Sequence, residues 1–117
     1  TAFNPETGVP TGRHNPLAAD ADGCWSRGFG WHIAGLAASL EFTGNPDLRT
    51  ALTRAANYYL AHVDGKLVPV WDFTVRDEEA PYDTSAAAVS AYGLLGISGT
   101  KNGHLTRKIH EEAVRVA

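Results

Sequence analysis

Two segments, Trp31 to Leu40 and Ala86 to Ile97, are apolar on nearly every helical face, and this constrains the chain more than any other feature. The first is interrupted only by His32 and Ser39 and stops at Thr43-Gly44. The second carries Tyr92, Leu94 and Leu95, with Gly93 and Gly96 permitting close helix approach, and stops at Ser98-Gly99. A helix that is apolar all round has to be buried on all sides. Asp83, Thr84 or Ser85 can cap the second of these helices.

Each buried helix is followed by one with a single apolar stripe. Asn45-Pro46-Asp47 supplies an N-cap, a proline at the first helical position and an acid at the positive helix end. Leu48, Leu52, Ala56, Tyr59 and Val63 then recur at helical spacing, opposed by Arg49, Thr53, Arg54 and Asn57, up to Asp64-Gly65. Leu105, Ile109, Ala113 and Val116 form a second such stripe, opposed by Arg107, Lys108, Glu111 and Glu112. Thr1 to Ser26, rich in Gly, Pro, Asn and Asp, reads as a long loop. Lys66 to Tyr82 is a second loop, in which Pro69 excludes a central strand. The order of loop, buried helix and surface helix therefore occurs twice, a repeat of about fifty residues. Such units are stabilised by neighbours on both sides. The expectation is an all-α piece of a larger two-layered helical array, spanning residues 1–117, whose buried helices are covered by the remainder of the array or by a partner chain.

Composition removes several function classes. Of 117 residues 44% are hydrophobic and 20% charged, which is globular rather than disordered. The net charge is −3 and the ten Lys and Arg form no basic run, so the footprint for nucleic acid or an anionic membrane is missing. Neither apolar segment approaches the roughly 20 residues that span a bilayer. This favours the cytoplasm or a bacterial periplasm over a membrane. Cys24 is the single cysteine, and no His or Cys spacing suits a metal. No metal or other cofactor is expected.

If the two buried helices run parallel, the loops that enter them share one end of the array. Both loops are aromatic: one closes in Cys24-Trp25-Ser26-Arg27-Gly28-Phe29-Gly30-Trp31, the other holds Trp71-Asp72-Phe73 and Tyr82-Asp83. All three tryptophans, an arginine and two helix N-termini would then gather on one rim, suited to stacking on a sugar ring and attracting a carboxylate. Competing structural readings stand beside this one. Trp31 can be core, Trp25 and Trp71 can plug the loops, and Arg27 can pair with Asp20, Asp22 or Asp72. His14 reads by default as a solvated turn residue and Asp83 as an N-cap. Asp72, alone in an aromatic setting, is either an acid of raised pKa or a carboxylate held by backbone N–H groups.

Trp25-Ser26-Arg27-Gly28-Phe29-Gly30-Trp31, Ala34-Gly35-Leu36, Phe42-Thr43-Gly44-Asn45-Pro46, Val70-Trp71-Asp72-Phe73 and Asp83-Thr84-Ser85-Ala86 together resemble glycoside hydrolase family 88, the unsaturated glucuronyl hydrolases. Phe3-Asn4-Pro5-Glu6-Thr7-Gly8 extends the resemblance to the start of the chain. Family 105 has a similar Trp-to-Trp motif, but the segments around Asp72 and Asp83 favour family 88. The resemblance implies about two helical hairpins of an (α/α)6 six-hairpin toroid and a single catalytic domain. It implies a hydrolase acting on terminal 4,5-unsaturated glucuronyl residues of oligosaccharides left by polysaccharide lyases. There an Asp protonates the vinyl ether and activates water, and the resulting hemiketal collapses, unlike direct displacement by two carboxylates. His14, Trp25, Arg27 and Trp31 match substrate-binding positions, although Asn15 and Phe29 stand where the family has Gln. The family's catalytic Asp residues lie N-terminal to the matched region, so none is expected among these residues and the chain alone is expected to be inactive. The alternative is a non-catalytic helical repeat or carbohydrate-binding remnant.

Overall fold

A computed structural model describes residues 2–12, 15–63 and 65–98, of which 96–98 are described in their backbone only. The expected surface helix from Leu105 to Val116 lies outside the described residues, as does His14. Three helices form the body: α1, Ser26–Thr43; α2, Pro46–His62; and α3, Thr84–Ser98. None of them is long and apolar enough to cross a membrane.

The first loop is not wholly irregular. Strands β1, Ala2–Phe3, and β2, Pro10–Gly12, pair antiparallel. The Asn4 side chain accepts the N–H groups of Glu6 and Thr7, both at 2.9 Å, and Gly8 takes φ +69° to complete the turn. The turn residues were evident in the sequence. The strands were not, because Phe3 and Val9 are exposed and no apolar alternation marks them.

Helix α1 begins at Ser26, well before the apolar run at Trp31, and the cap at Trp25 has no side-chain hydrogen bond. Its first amide is satisfied from a distance: the Ser26 N–H donates to the Trp71 carbonyl at 2.9 Å, and Ser26 Oγ donates to the same oxygen at 3.1 Å. The helix stops at Gly44, whose left-handed φ of 65° lets its N–H reach the Leu40 carbonyl. Helix α2 starts as its sequence dictates, with Asn45 accepting the Asp47 N–H at 2.9 Å and Pro46 in the first turn. Leu52, Ala55, Ala56 and Tyr59 are its buried face. The core joins them to Ile33 and Leu40 of α1, Leu94 of α3 and Phe73 of the second loop.

Helices α1 and α3 run parallel in close contact. A Cβ on Gly30 would lie 2.9 Å from Ser90 Oγ and 3.1 Å from the Ala86 carbonyl, and one on Gly93 would lie 2.8 Å from the Ala34 backbone. Contacts thus advance in the same direction along both helices, bringing their first turns together. The inner and outer layers follow, with α1 and α3 side by side and α2 folded back on α1.

Within the described residues the two apolar helices are covered only in part. Trp31 is 61% exposed, Phe42 88% and Tyr92 72%. The physical reason is plain: α1 covers α3 on one flank, α2 covers α1 on another, and no other described element reaches the remaining faces. Trp31 is therefore not core within the described residues.

Candidate functional site

The second loop binds to the start of α1 in extended pairing. Trp25 and Asp72 bridge antiparallel, as do Val70 and Tyr82. The Phe73 N–H donates to the Cys24 carbonyl and the Trp71 N–H to the Pro81 carbonyl, both at 2.9 Å, and the Asp83 N–H donates to the Pro69 carbonyl at 2.8 Å. Three chain segments thereby lie side by side over the N-termini of α1 and α3, so both aromatic loops share one end of the fold.

Asp72 holds this end together. It is fully buried. Its Oδ1 accepts from the Cys24 N–H at 3.0 Å, the Thr74 N–H at 2.8 Å and the Thr74 hydroxyl at 2.6 Å, while Oδ2 accepts from the Ala19 N–H at 3.0 Å. Burial pulls the carboxyl pKa upward, but the Thr74 hydroxyl and N–H and the Ala19 and Cys24 amides outweigh it and hold it below the ordinary value. Asp72 is thus the structural carboxylate of the two readings, ionised and bound by backbone, and not a raised-pKa acid.

Arg27 has a partner other than the three considered from sequence. Asp20 accepts the Asp22 N–H in a local turn and Asp72 is occupied by amides. Arg27 instead donates its Nε–H to Asp83 Oδ2 at 3.1 Å and forms an ion pair with the same oxygen through Nη2, also at 3.1 Å. The parallel helices explain this: Arg27 and Asp83 both stand at helix starts, and parallel packing sets those starts next to each other. Asp83 also caps α3, its Oδ1 accepting the Ala86 N–H at 2.8 Å. The expected N-cap is correct, with a second role that the sequence reading missed.

The Arg27 guanidinium lies 5.7 Å from the Trp25 ring centroid. The Trp25 ring occupies the space that a side chain on Gly28 would need, since a Cβ there would sit 2.8 Å from Cε3. Arg27 keeps 45% of its side chain exposed, and Trp31, four residues on, projects from the same helix face. Trp25 and Arg27 are thus in contact at the start of α1, and Trp31 stands exposed one helical turn further along. Trp71 is half-buried in the loop.

Beneath this rim, Phe73 makes edge contacts with Phe29, Tyr58, Tyr59 and His62, ring centroids 5.7 to 5.9 Å apart. Burial pushes the half-buried Cys24 thiol up, partly offset by the Tyr58 hydroxyl. Such a thiol stays protonated and is a poor nucleophile. Among the described residues no group of three His, Cys, Asp or Glu could hold a metal ion.

No protein-family profile matches the chain. It is 40% identical over 100 residues to an unsaturated glucuronyl hydrolase of Bacillus sp. (strain GL1), and 29% identical over 114 residues to an unsaturated chondroitin disaccharide hydrolase of Streptococcus pyogenes serotype M1. The alignments take in 82% and 96% of this chain but only 26% and 29% of those proteins. Among solved structures, the unsaturated glucuronyl hydrolase of Bacillus sp. GL1 superposes with a TM-score of 0.86 at 30% identity, over 97% of this chain and 31% of that one. An unsaturated glucuronyl hydrolase specific for heparin superposes with a TM-score of 0.88 at 25% identity, over 98% of this chain and 31% of that one. The resemblance to family 88 is thus borne out over a partial chain, and the fold is part of an α/α toroid. The chain spans less than a third of the length of these relatives.

Proposed function

We propose that residues 1–117 form part of the single catalytic domain of an α/α-toroid glycoside hydrolase that removes terminal 4,5-unsaturated glucuronyl residues from lyase-generated oligosaccharides. One observation carries the reading. Arg27 and Trp31 project from one face at the start of α1, with the guanidinium supported by Asp83 and Trp25 and still half exposed. A uronate presents what such a face binds: a planar carboxylate for a charge-assisted fork and a sugar ring for an aromatic surface. The N-terminal ends of α1 and α3 add positive potential at the same place. His14 of the preceding loop is proposed as a further substrate contact on the strength of the resemblance.

In the reaction proposed, C4 of the vinyl ether takes a proton and water adds its oxygen at C5 and loses a proton; the hemiketal opens by breaking C5–O5 to give a C5 ketone and a C1 hemiacetal, whose collapse to the aldehyde breaks the C1–O bond and releases the remaining oligosaccharide as its alcohol. The carboxyl group is attached at C5, so holding it fixes the plane of the double bond relative to the acid. Arg27 supplies that hold. The proton comes from an Asp outside this chain, in the remainder of the toroid or in a partner chain. Those neighbours would also cover Trp31 where it does not meet substrate, Phe42 and Tyr92.

The test is loss of the ultraviolet absorbance of the conjugated double bond when the complete toroid is given an unsaturated uronyl disaccharide, with and without chelator. Loss of absorbance in both is expected. Activity only on saturated glucuronides, or activity abolished by the chelator, overturns the proposal. Binding with no loss of absorbance would mark a carbohydrate-binding remnant.

A further inference from the structure

The two oxygens of Asp83 are divided between two tasks. Oδ1 holds the start of α3 through the Ala86 N–H, and Oδ2 accepts the Arg27 Nε–H with Nη2 in ion-pair contact at the same oxygen. The carboxylate is buried while the arginine is half exposed. A guanidinium is a rigid plane with five donors. When its Nε–Nη2 edge is fixed on a buried carboxylate, the Nη1 edge is directed away from that carboxylate, and Nη1 makes no hydrogen bond among the described residues. The Trp25 ring, seated in the space left by Gly28, restricts rotation out of that plane.

We propose that Asp83 is a positioning residue that aims the Nη1 edge of Arg27 at the uronate carboxylate. This rests on the reading of Arg27 as a carboxylate ligand. A free arginine side chain would have to give up its rotamer freedom on binding, whereas one already clamped does not, and affinity gains by that difference. The arrangement has an electrostatic cost, because Asp83 offsets part of the cationic charge. Pre-ordering has to exceed it for the assignment to hold.

Capping and aiming can be separated. Asn and Ser cap helices about as well as Asp, so Asp83→Asn and Asp83→Ser retain an acceptor for the Ala86 N–H while losing the charged clamp. In the complete toroid, KM for the unsaturated disaccharide should rise roughly five- to thirtyfold in both variants with kcat little changed, as for loss of an interaction made equally in ground and transition states. In an Arg27→Ala background the same substitutions should add less than about twofold, since Asp83 acts through Arg27. If Arg27→Ala raises KM while both Asp83 variants leave it unchanged or lower, the positioning role is overturned and the ligand role of Arg27 stands. An unchanged KM in Arg27→Ala overturns that ligand role and the positioning role with it. An equal KM penalty with and without Arg27, or loss of folding in both cap-preserving variants, shows that Asp83 acts on the helices rather than on the guanidinium and refutes the assignment.

Discussion

Replacing Asp72 by Asn should loosen residues 15–24 far more than an isosteric change would elsewhere. The amide can keep its oxygen where Oδ1 accepts from Cys24 and from Thr74 twice, but its NH2 then faces the Ala19 N–H, donor against donor. The remaining bonds also lose their charge, and charged hydrogen bonds contribute about 1.5–3 kcal/mol against about 0.5–1.5 for neutral ones. Relaxation of these bonds offsets part of their weakening, and the unsatisfied Ala19 amide alone costs about 1–3 kcal/mol, so a loss of at least about 2–3 kcal/mol is expected. Expressed as local opening, that is roughly 30- to 150-fold faster hydrogen exchange. Exchange measured by mass spectrometry on peptides covering 15–24 in the complete toroid reads it directly. The pH dependence has a definite sign. The folded pKa of Asp72 is depressed, so the stability it contributes is fully present above the unfolded value of about 3.9 and is lost as pH falls through the folded value. The difference between wild type and Asp72→Asn should therefore be constant from pH 7 to 5 and shrink below about pH 4. Exchange within threefold of wild type at pH 7, or a difference that grows on acidification, would refute the reasoning.

Other substitutions probe separate links. Arg27→Lys keeps a charge but not the fork, and should lower kcat/KM by roughly one to two orders of magnitude with the melting temperature nearly unchanged; the opposite pattern would make the residue structural. Gly93→Ala places a methyl against the Ala34 backbone and should cost about 1–3 kcal/mol in urea unfolding despite alanine's better helix propensity. The Tyr59 hydroxyl is buried and makes no hydrogen bond of good geometry among the described residues; burial pushes its pKa up to about 12, and the nearby Ser90 hydroxyl opposes this weakly. Tyr59→Phe should therefore shift stability by less than about 1 kcal/mol, and a larger loss would reveal a bound water or another partner. The isolated chain, with Trp31, Phe42 and Tyr92 exposed, should melt without cooperativity by circular dichroism, and a sharp monomeric transition would contradict that.

What the sequence disclosed was what is encoded locally. Asn45, Pro46 and Asp47 cap α2 with their own atoms, and Gly44 ends α1 with its own φ, so both boundaries could be read from a few adjacent letters. The start of α1 could not, because its first amide is satisfied by the Trp71 carbonyl, 45 residues away. The same distinction separates the two carboxylates. Asp83 was legible as a cap because the Ala86 N–H is three residues on. Its bond to Arg27 spans 56 residues: parallel helices place the two helix starts on one rim, but which of the nearby carboxylates the guanidinium meets depends on the depth of the α1–α3 contact, which no local pattern encodes.

The small residues on the seam between α1 and α3 connect that packing to the site. Gly30 and Gly93 let the helices approach until Cβ-sized gaps close, and the parallel direction of the approach brings Arg27 within 3.1 Å of Asp83. A bulkier seam would part the helices and separate arginine from carboxylate, since neither side chain can follow while Asp83 remains bound to the Ala86 amide. If Arg27 holds the uronate as proposed, glycine at these positions bears on substrate recognition as well as on stability. Damage to the seam should consequently appear as a raised KM before it appears as unfolding, because a clamp with donor–acceptor distances of 3.1 Å weakens over a few tenths of an ångström, whereas the core around Ile33, Tyr59 and Phe73 lies mainly between α1, α2 and the second loop.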